Sequence, residues 1–210
     1  LTYSSFPTFT TAAGSIGSVY ETNSINTSVV ATSDSAITYT LTSGSLPAGA
    51  TLASNGTITG TAPVDSGSTT YTFSVKATDA ELQDVTRTFT LTINTDVLTW
   101  VTPASGATIN LDGTYYSQAL TATDAAGYAV SYTANALPTG LTLGAGSIVG
   151  YPTVDGTSSS LLTASSIATG RSGTNTVNWI VSLSDAYFKF NSLLLSANSA
   201  IQTSSFVADN

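Results

Sequence analysis

The 210-residue chain contains neither cysteine nor histidine, so carboxylates, phenols and hydroxyls are the side chains left to do chemistry. Disulfides, thiolate or imidazole metal ligands, cysteine nucleophiles and serine–histidine relays are excluded at once. The most crowded acids are Asp79, Glu81 and Asp84, and Asp34, Asp96 and Asp124 stand near the expected ends of structural units. Groups of this kind can collect the six to eight oxygens that Ca²⁺ requires. Calcium is therefore the one cofactor the residues bring into question, against the plainer reading that these are solvated turn carboxylates and that the chain needs no cofactor. Paired carboxylates also serve glycoside hydrolysis, which needs one raised and one ordinary pKa at a separation of about 5 to 9 Å. Nothing in the sequence places an apolar pocket around a chosen acid, so no catalytic residue is assigned and no enzyme activity is expected.

Twelve acidic residues face four basic ones, for a net charge of −8. The basic residues (Lys76, Arg87, Arg171 and Lys189) are scattered, which leaves no phosphate-tracking stripe and argues against nucleic acid as a partner. Charged residues make up 8% of the chain, against about 25% in an ordinary soluble domain, so serine and threonine must supply the wet surface. No stretch approaches the ~18 apolar residues of a membrane span. The chain opens at Leu1 and breaks off in mid-phrase at Asn210, the expectation for an excerpt of a longer polypeptide.

The elements that must position these residues follow from an internal repeat. LPAGATLASNGTITGTAPVDSG, from Leu46 to Gly67, recurs as LPTGLTLGAGSIVGYPTVDG from Leu137 to Gly156. Leu46/Leu137, Phe9/Trp100 and Val29/Leu120 are each 91 apart, whereas Ile58/Ile148, Phe89/Trp179, Leu91/Val181 and Ile93/Leu183 are each 90 apart. A repeat this long is a whole small domain. The expected organisation is a first module over 1–95, a second over 96–185, and a linker or the start of a further β domain over 186–210. The 90-residue step puts Thr169 at the place of Asp79 and Arg171 at that of Glu81, so the second copy lacks the acidic group.

Tyr71, Phe73, Val75 and Ala77 alternate with Thr72, Ser74, Lys76 and Thr78, the period-two pattern of a half-buried strand. Phe89, Leu91 and Ile93 alternate with threonines in the same way, and β-branched threonine suits the open face. Asn55-Gly56 predicts a type I′ hairpin turn, with positive φ at both central residues. Short strands between Gly, Pro, Asn, Asp and Ser turns, with no 3.6-residue pattern, predict an all-β chain of two tandem antiparallel β-sandwiches. Trp100 and Trp179 replace phenylalanines and read as core. Tyr115, Tyr116 and Tyr151 have no aromatic counterpart in the first copy and are candidate interface residues.

LPAGATLASNGTITGTA followed by YTFSVKATD resembles the Ig-like domains related to dystroglycan-type cadherin-like modules, whose pattern runs LPxGLxL, a turn, GxIxGTP, then a strand ending in ATD. The first copy follows that pattern closely. The second departs after Pro152, with SSIATGRSG where the first has SVKATDAEL. The resemblance implies Ig-like sandwiches, and the calcium question above comes partly from it, although INTDVL lacks the acidic run of typical cadherin linkers. The segment from Asp185 is similar to one that follows Ig-like repeats in virion proteins of tailed phages of marine cyanobacteria.

Together these resemblances imply a non-enzymatic structural segment of a phage virion surface or tail-appendage protein, extracellular, acting as a rigid spacer or adhesion module. Phe188, Phe190 and Leu194 in the tail are apolar enough to need burial. They join the tyrosines as candidate interface residues toward copies of the same chain, in a homo-oligomer, or toward other virion proteins, with a host surface glycan or protein as a further possible partner. The alternative is a bacterial cell-surface adhesin whose modules bind carbohydrate or protein.

Overall fold

In the computed structural model, residues 4–64 and 67–183 are described, and every regular element among them is a β-strand. The segment 186–210, and with it Phe188, Phe190 and Leu194, lies outside the described residues. The chain forms two compact units. Among the described residues, the first comprises 4–98 with the short segments Asp124–Ala129 and Ser166–Arg171, and the second Thr99–Thr123, Val130–Ser165 and 172–183.

The first unit is built of β1 (Thr8–Phe9), β2 (Gly14–Tyr20), β3 (Ser24–Ser28), β4 (Ala31–Thr32), β5 (Thr38–Gly44), β6 (Ala50–Leu52), β7 (Thr57–Thr61), β8 (Thr69–Thr78) and β9 (Asp84–Asn94). A four-stranded sheet runs β2-β9-β8-β5, a three-stranded sheet runs β3-β7-β6, and β1 pairs with β4. Phe9, Ile25, Val29, Tyr39, Ile58, Phe73, Val75, Phe89, Leu91 and Ile93 form the core between the sheets. Phe9 meets Phe89 edge to face at 5.4 Å, a favoured aromatic geometry.

The second unit repeats this order strand for strand. It contains β10 (Leu98–Thr102), β11 (Thr108–Leu111), β12 (Tyr116–Ala119), β13 (Thr121–Asp124), β14 (Val130–Ala134), β15 (Leu141–Gly144), β16 (Ser147–Gly150), β17 (Gly156–Ser166) and β18 (Ser172–Val181). Its sheets run β11-β18-β17-β14, β12-β16-β15 and β10-β13. Leu111, Leu120, Leu141, Ile148, Leu162, Val177, Trp179 and Val181 fill its core.

Three differences from the sequence expectation have clear physical causes. First, neither sandwich is wholly antiparallel: β2 lies parallel to β9, and β11 parallel to β18. The second strand of each unit crosses over to flank the last, and no local pattern encodes that long-range pairing.

Second, Asn55-Gly56 is not a type I′ turn. Gly56 has φ +88°, whereas Asn55 keeps an ordinary negative φ. The Gly56 N–H donates to the Ala53 carbonyl, and the Asn55 side chain accepts the Thr57 N–H at 3.1 Å. These bonds make a three-residue loop closed by a left-handed glycine. The two-residue turn with both φ positive occurs in the second copy, at Ala145 (φ 49°) and Gly146 (φ 74°). This one-residue difference is why the repeat step falls from 91 to 90.

Third, β17 runs out of step with the rest. Val75 pairs with Arg87 and Ser160 with Val177, so Ser160 stands where Val75 stands. Ala164, paired with Gly173, is then the counterpart of Asp79. The expected match of Thr169 with Asp79 and Arg171 with Glu81 does not hold.

The motif glycines have a shared task. A Cβ on Gly60 would fall 2.1 Å from the Gly49 carbonyl oxygen, and one on Gly150 would fall 2.1 Å from that of Gly140. Both sit in the central strand of the three-stranded sheet, where two backbones close to within a distance that only glycine tolerates.

Candidate functional site

The acidic group of the first unit is rearranged relative to expectation. Asp34, Asp79 and Glu81 each place a carboxylate oxygen within 4.8 Å of the others. Asp84 is not among them: as the first residue of β9 it faces Thr78 across the ladder and forms an ion pair with the diagonal Lys76 at 3.7 Å. Asp34 takes its place because the loop between β4 and β5 folds over the β8–β9 turn, a tertiary contact between residues 45 positions apart in sequence.

Hydrogen-bond donors of the protein hold this cluster together. Asp79 is buried, and its Oδ1 accepts the N–H groups of Glu81 (3.1 Å) and Gln83 (2.8 Å). Asp34 accepts the Ser5 N–H at 3.1 Å and the Ser33 hydroxyl at 3.1 Å, and the Ser35 hydroxyl donates to Glu81. Three carboxylates are a minority of the six to eight oxygens of a calcium site, and here they tie down a hairpin turn. Their spacing would admit a cation, but the turn is already held by the protein's own donors. The first unit is expected to melt at the same temperature in EDTA as in calcium chloride, whereas a saturated structural site would add several kcal/mol by linkage. A chelator-induced drop in Tm, reversed by calcium, would contradict this.

Asp79→Ala removes the acceptor from two turn N–H groups and is expected to destabilise the first unit by about 2–3 kcal/mol, measured by denaturant unfolding. Asp79→Asn, which keeps one carbonyl oxygen in place, is expected to cost less.

Asp96 and Asp124 are also fixed by protein donors. Asp96 is buried and accepts the Ala126 N–H at 3.2 Å and the Thr169 hydroxyl at 2.8 Å. Asp124 accepts the N–H groups of Ala126 (2.9 Å) and Tyr128 (3.2 Å). Glu21, fully buried in the first unit, is neutralised by Arg171, whose Nη2 donates at 2.9 Å while Nε donates to the other oxygen. Sequence reading had no signal for Glu21, since a lone glutamate at a strand end normally stays in water.

Burial works to raise the Asp124 pKa, but the hydrogen bonds it accepts outweigh that and hold the carboxyl below its ordinary value of 3.8. The Ser5 N–H lowers Asp34, and the Thr114 hydroxyl lowers Asp112. A carboxyl depressed in the folded state stabilises above its unfolded pKa, and that contribution disappears as pH falls through the folded value. Tm is therefore expected to be flat from about pH 5 to 8 and to fall below about pH 4, checked by a pH series of thermal melts.

The candidate tyrosines separate. Tyr116 is half-buried and packs edge to face on Trp179 at 5.9 Å, so it belongs to the wall of the core. Its phenol oxygen is buried without a hydrogen-bond partner, and burial raises its pKa. Tyr115 and Tyr151 are 56% and 59% exposed, with ring centroids 5.2 Å apart. Tyr116 faces Gly150 in the β12–β16 ladder, which sets Tyr115 and Tyr151 side by side just beyond its end. The structurally matched positions in the first unit, Ser24 and Thr61, also face each other.

One shared device was not read from the sequence. The Tyr39 phenol oxygen accepts the Ala31 N–H at 2.7 Å, and that of Tyr132 accepts the Ala122 N–H at 2.8 Å. The tyrosines are 93 residues apart because the second copy has a longer loop before β14, which hides them from a search at a fixed step of 91.

Residues 6–94 match the family described as Putative Ig domain. No curated protein matches the chain. Among solved structures, titin domains Z1Z2 in complex with telethonin share 15% identity, with 87% of this chain and 100% of that one covered, at a TM-score of 0.42. Drosophila N-cadherin EC1-3 shares 16% identity, with 86% and 68% covered and a TM-score of 0.38. An endo-fucoidan hydrolase from glycoside hydrolase family 107 shares 18% identity over 85% of this chain, at a TM-score of 0.36, and the chain spans 29% of that enzyme's length. Strand order, the two matched cores and the family match over 6–94 together identify an all-β chain of Ig-like units.

Proposed function

We propose that the chain is a non-enzymatic, load-bearing spacer of an extracellular surface protein, and that this protein is a virion surface or tail-appendage component of a tailed phage. The observation that carries the mechanical reading is the parallel pairing of the second strand with the last in each unit, β2 with β9 and β11 with β18. Tension applied to the two ends of such a unit loads this ladder along its length. Its hydrogen bonds must then fail together, whereas an antiparallel pair pulled from one end opens a bond at a time. Unfolding under force is governed by that barrier and not by equilibrium stability. The hydroxyl-rich surface keeps solubility with little dependence on salt.

The virion setting rests on the resemblance of the segment after Asp185, and it makes other virion proteins or further copies of this chain the partners. Among the described residues no helix is long and apolar enough to cross a membrane.

Two measurements test the proposal. In single-molecule pulling, a unit held by its two ends should rupture at several times the force needed when it is held by the start of β8 and the end of β9, adjacent ends of an antiparallel pair that opens one bond at a time. Equal forces would refute the mechanical reading. Mass spectrometry of purified particles, with antibody labelling against residues 4–183, should place the protein on the outside of a virion. Recovery only in cellular envelope fractions would replace the phage setting with a bacterial adhesin.

A further inference from the structure

We propose that the second unit carries a binding groove for a neutral oligosaccharide, at the place where β11 leaves one sheet and β12 enters the other. The groove encloses about 460 Å³ and is lined by Asn110, Asp112, Thr114, Tyr115, Tyr116 and Ser182. Tyr115 continues from its rim onto Tyr151.

Four observations converge on this ligand. Among the described aromatic residues only Phe6, Tyr115 and Tyr151 are exposed, and two of these three stand in contact beside the groove. Leaving aromatic surface in water forgoes burial energy, and the matched positions of the first unit manage with Ser24 and Thr61, so the sheet itself does not require tyrosine there.

Beside the rings the lining is mixed: a carboxylate, an amide and two hydroxyls stand together with the apolar Leu111 and Ile180. A pyranose presents an apolar C–H face and an edge of hydroxyls, and that combination matches an aromatic platform flanked by donors and acceptors. Tyr116, whose phenol oxygen is buried without a partner, contributes to the same lining.

Charge selects against the alternatives. No lysine or arginine lines the groove, Asp112 is kept ionised by the Thr114 hydroxyl, and the chain carries −8 overall. A sulfated or carboxylated polymer would meet repulsion with no compensating cation.

The test uses ¹⁵N-labelled full-length chain titrated with cellohexaose, maltohexaose and laminarihexaose into the millimolar range, with a sulfated oligosaccharide as the anionic comparison. At least one neutral hexaose should shift the amide signals of residues 110–116 and 151. Tyr115→Ser with Tyr151→Thr, which installs the residues of the first unit and should leave Tm nearly unchanged, should weaken that binding at least about tenfold. Asp112→Ala, with both rings retained, should weaken it as well.

The proposal is overturned if none of the three sugars shifts these signals, or if the double variant binds as well as the original. It is equally overturned if the sulfated probe binds in preference, or if the shifts follow protein concentration alone, which would make the tyrosine pair a contact between copies of this chain.

Discussion

Trp179→Ala is expected to destabilise the second unit by about 3–5 kcal/mol, the range for truncating a fully buried tryptophan. For a unit of about 90 residues that removes a large part of a total of roughly 5–13 kcal/mol. Trp179 is 1% exposed, and its indole N–H donates to the Ser160 hydroxyl at 2.8 Å in the core. Ser160 in turn donates to the Ala136 carbonyl at 3.0 Å.

The first unit fills the same two positions with Phe89 and Val75, which need no such bond. Phenylalanine with valine, and tryptophan with serine, are thus two consistent solutions at one diagonal cross-strand site. Ser160→Val alone leaves a buried N–H unpaired and should cost about 1–3 kcal/mol. Adding Trp179→Phe to it installs the pair of the first unit and should recover stability to within about 1.5 kcal/mol of the original. Denaturant unfolding of the four proteins measures the coupling, and additive costs would show that the two side chains do not act together.

Gly150→Ala is expected to be nearly as damaging, at about 3–5 kcal/mol, from backbone strain and overpacking together. The residue has φ +140°, and the added Cβ would meet the Gly140 carbonyl oxygen at 2.1 Å and the Leu141 Cα at 3.2 Å. Both obstacles are main-chain atoms, so no rotamer change relieves them. Gly170→Ala, at φ +71° in open space, is the comparison: it should pay only the conformational part, about 1 kcal/mol. Thermal melts of the two variants should therefore differ by many degrees, and similar melting points would remove the close-approach explanation.

Much of the architecture is legible in the residues alone. The alternation in residues 71–77 and 85–93, and the recurrence of LPxG with a glycine ten or eleven residues later, lead directly to two β units with matched cores. Those signals are local or strictly periodic. What escaped depends on pairings between distant segments: the parallel ladders, the five-residue offset of β17, and the arrival of Asp34 instead of Asp84 beside Asp79 and Glu81. Tyr39 and Tyr132 escaped for another reason, since a loop-length change moved equivalent side chains off the common step. The exposure of Tyr115 and Tyr151 was foreshadowed by their lack of aromatic counterparts, whereas Tyr116, their neighbour in sequence, turns inward because adjacent strand residues point to opposite faces.

The exchange of Phe89 for Trp179, with Phe9 and Trp100 related in the same way, makes the two units spectroscopically distinct. Both tryptophans of the chain lie in the second unit, and the first has none. Indole emission excited at the red edge therefore reports on one unit alone, and tyrosine emission and backbone dichroism on both. In a single unlabelled sample, the order in which the two units lose their structure can be followed by colour, with no need to cut them apart.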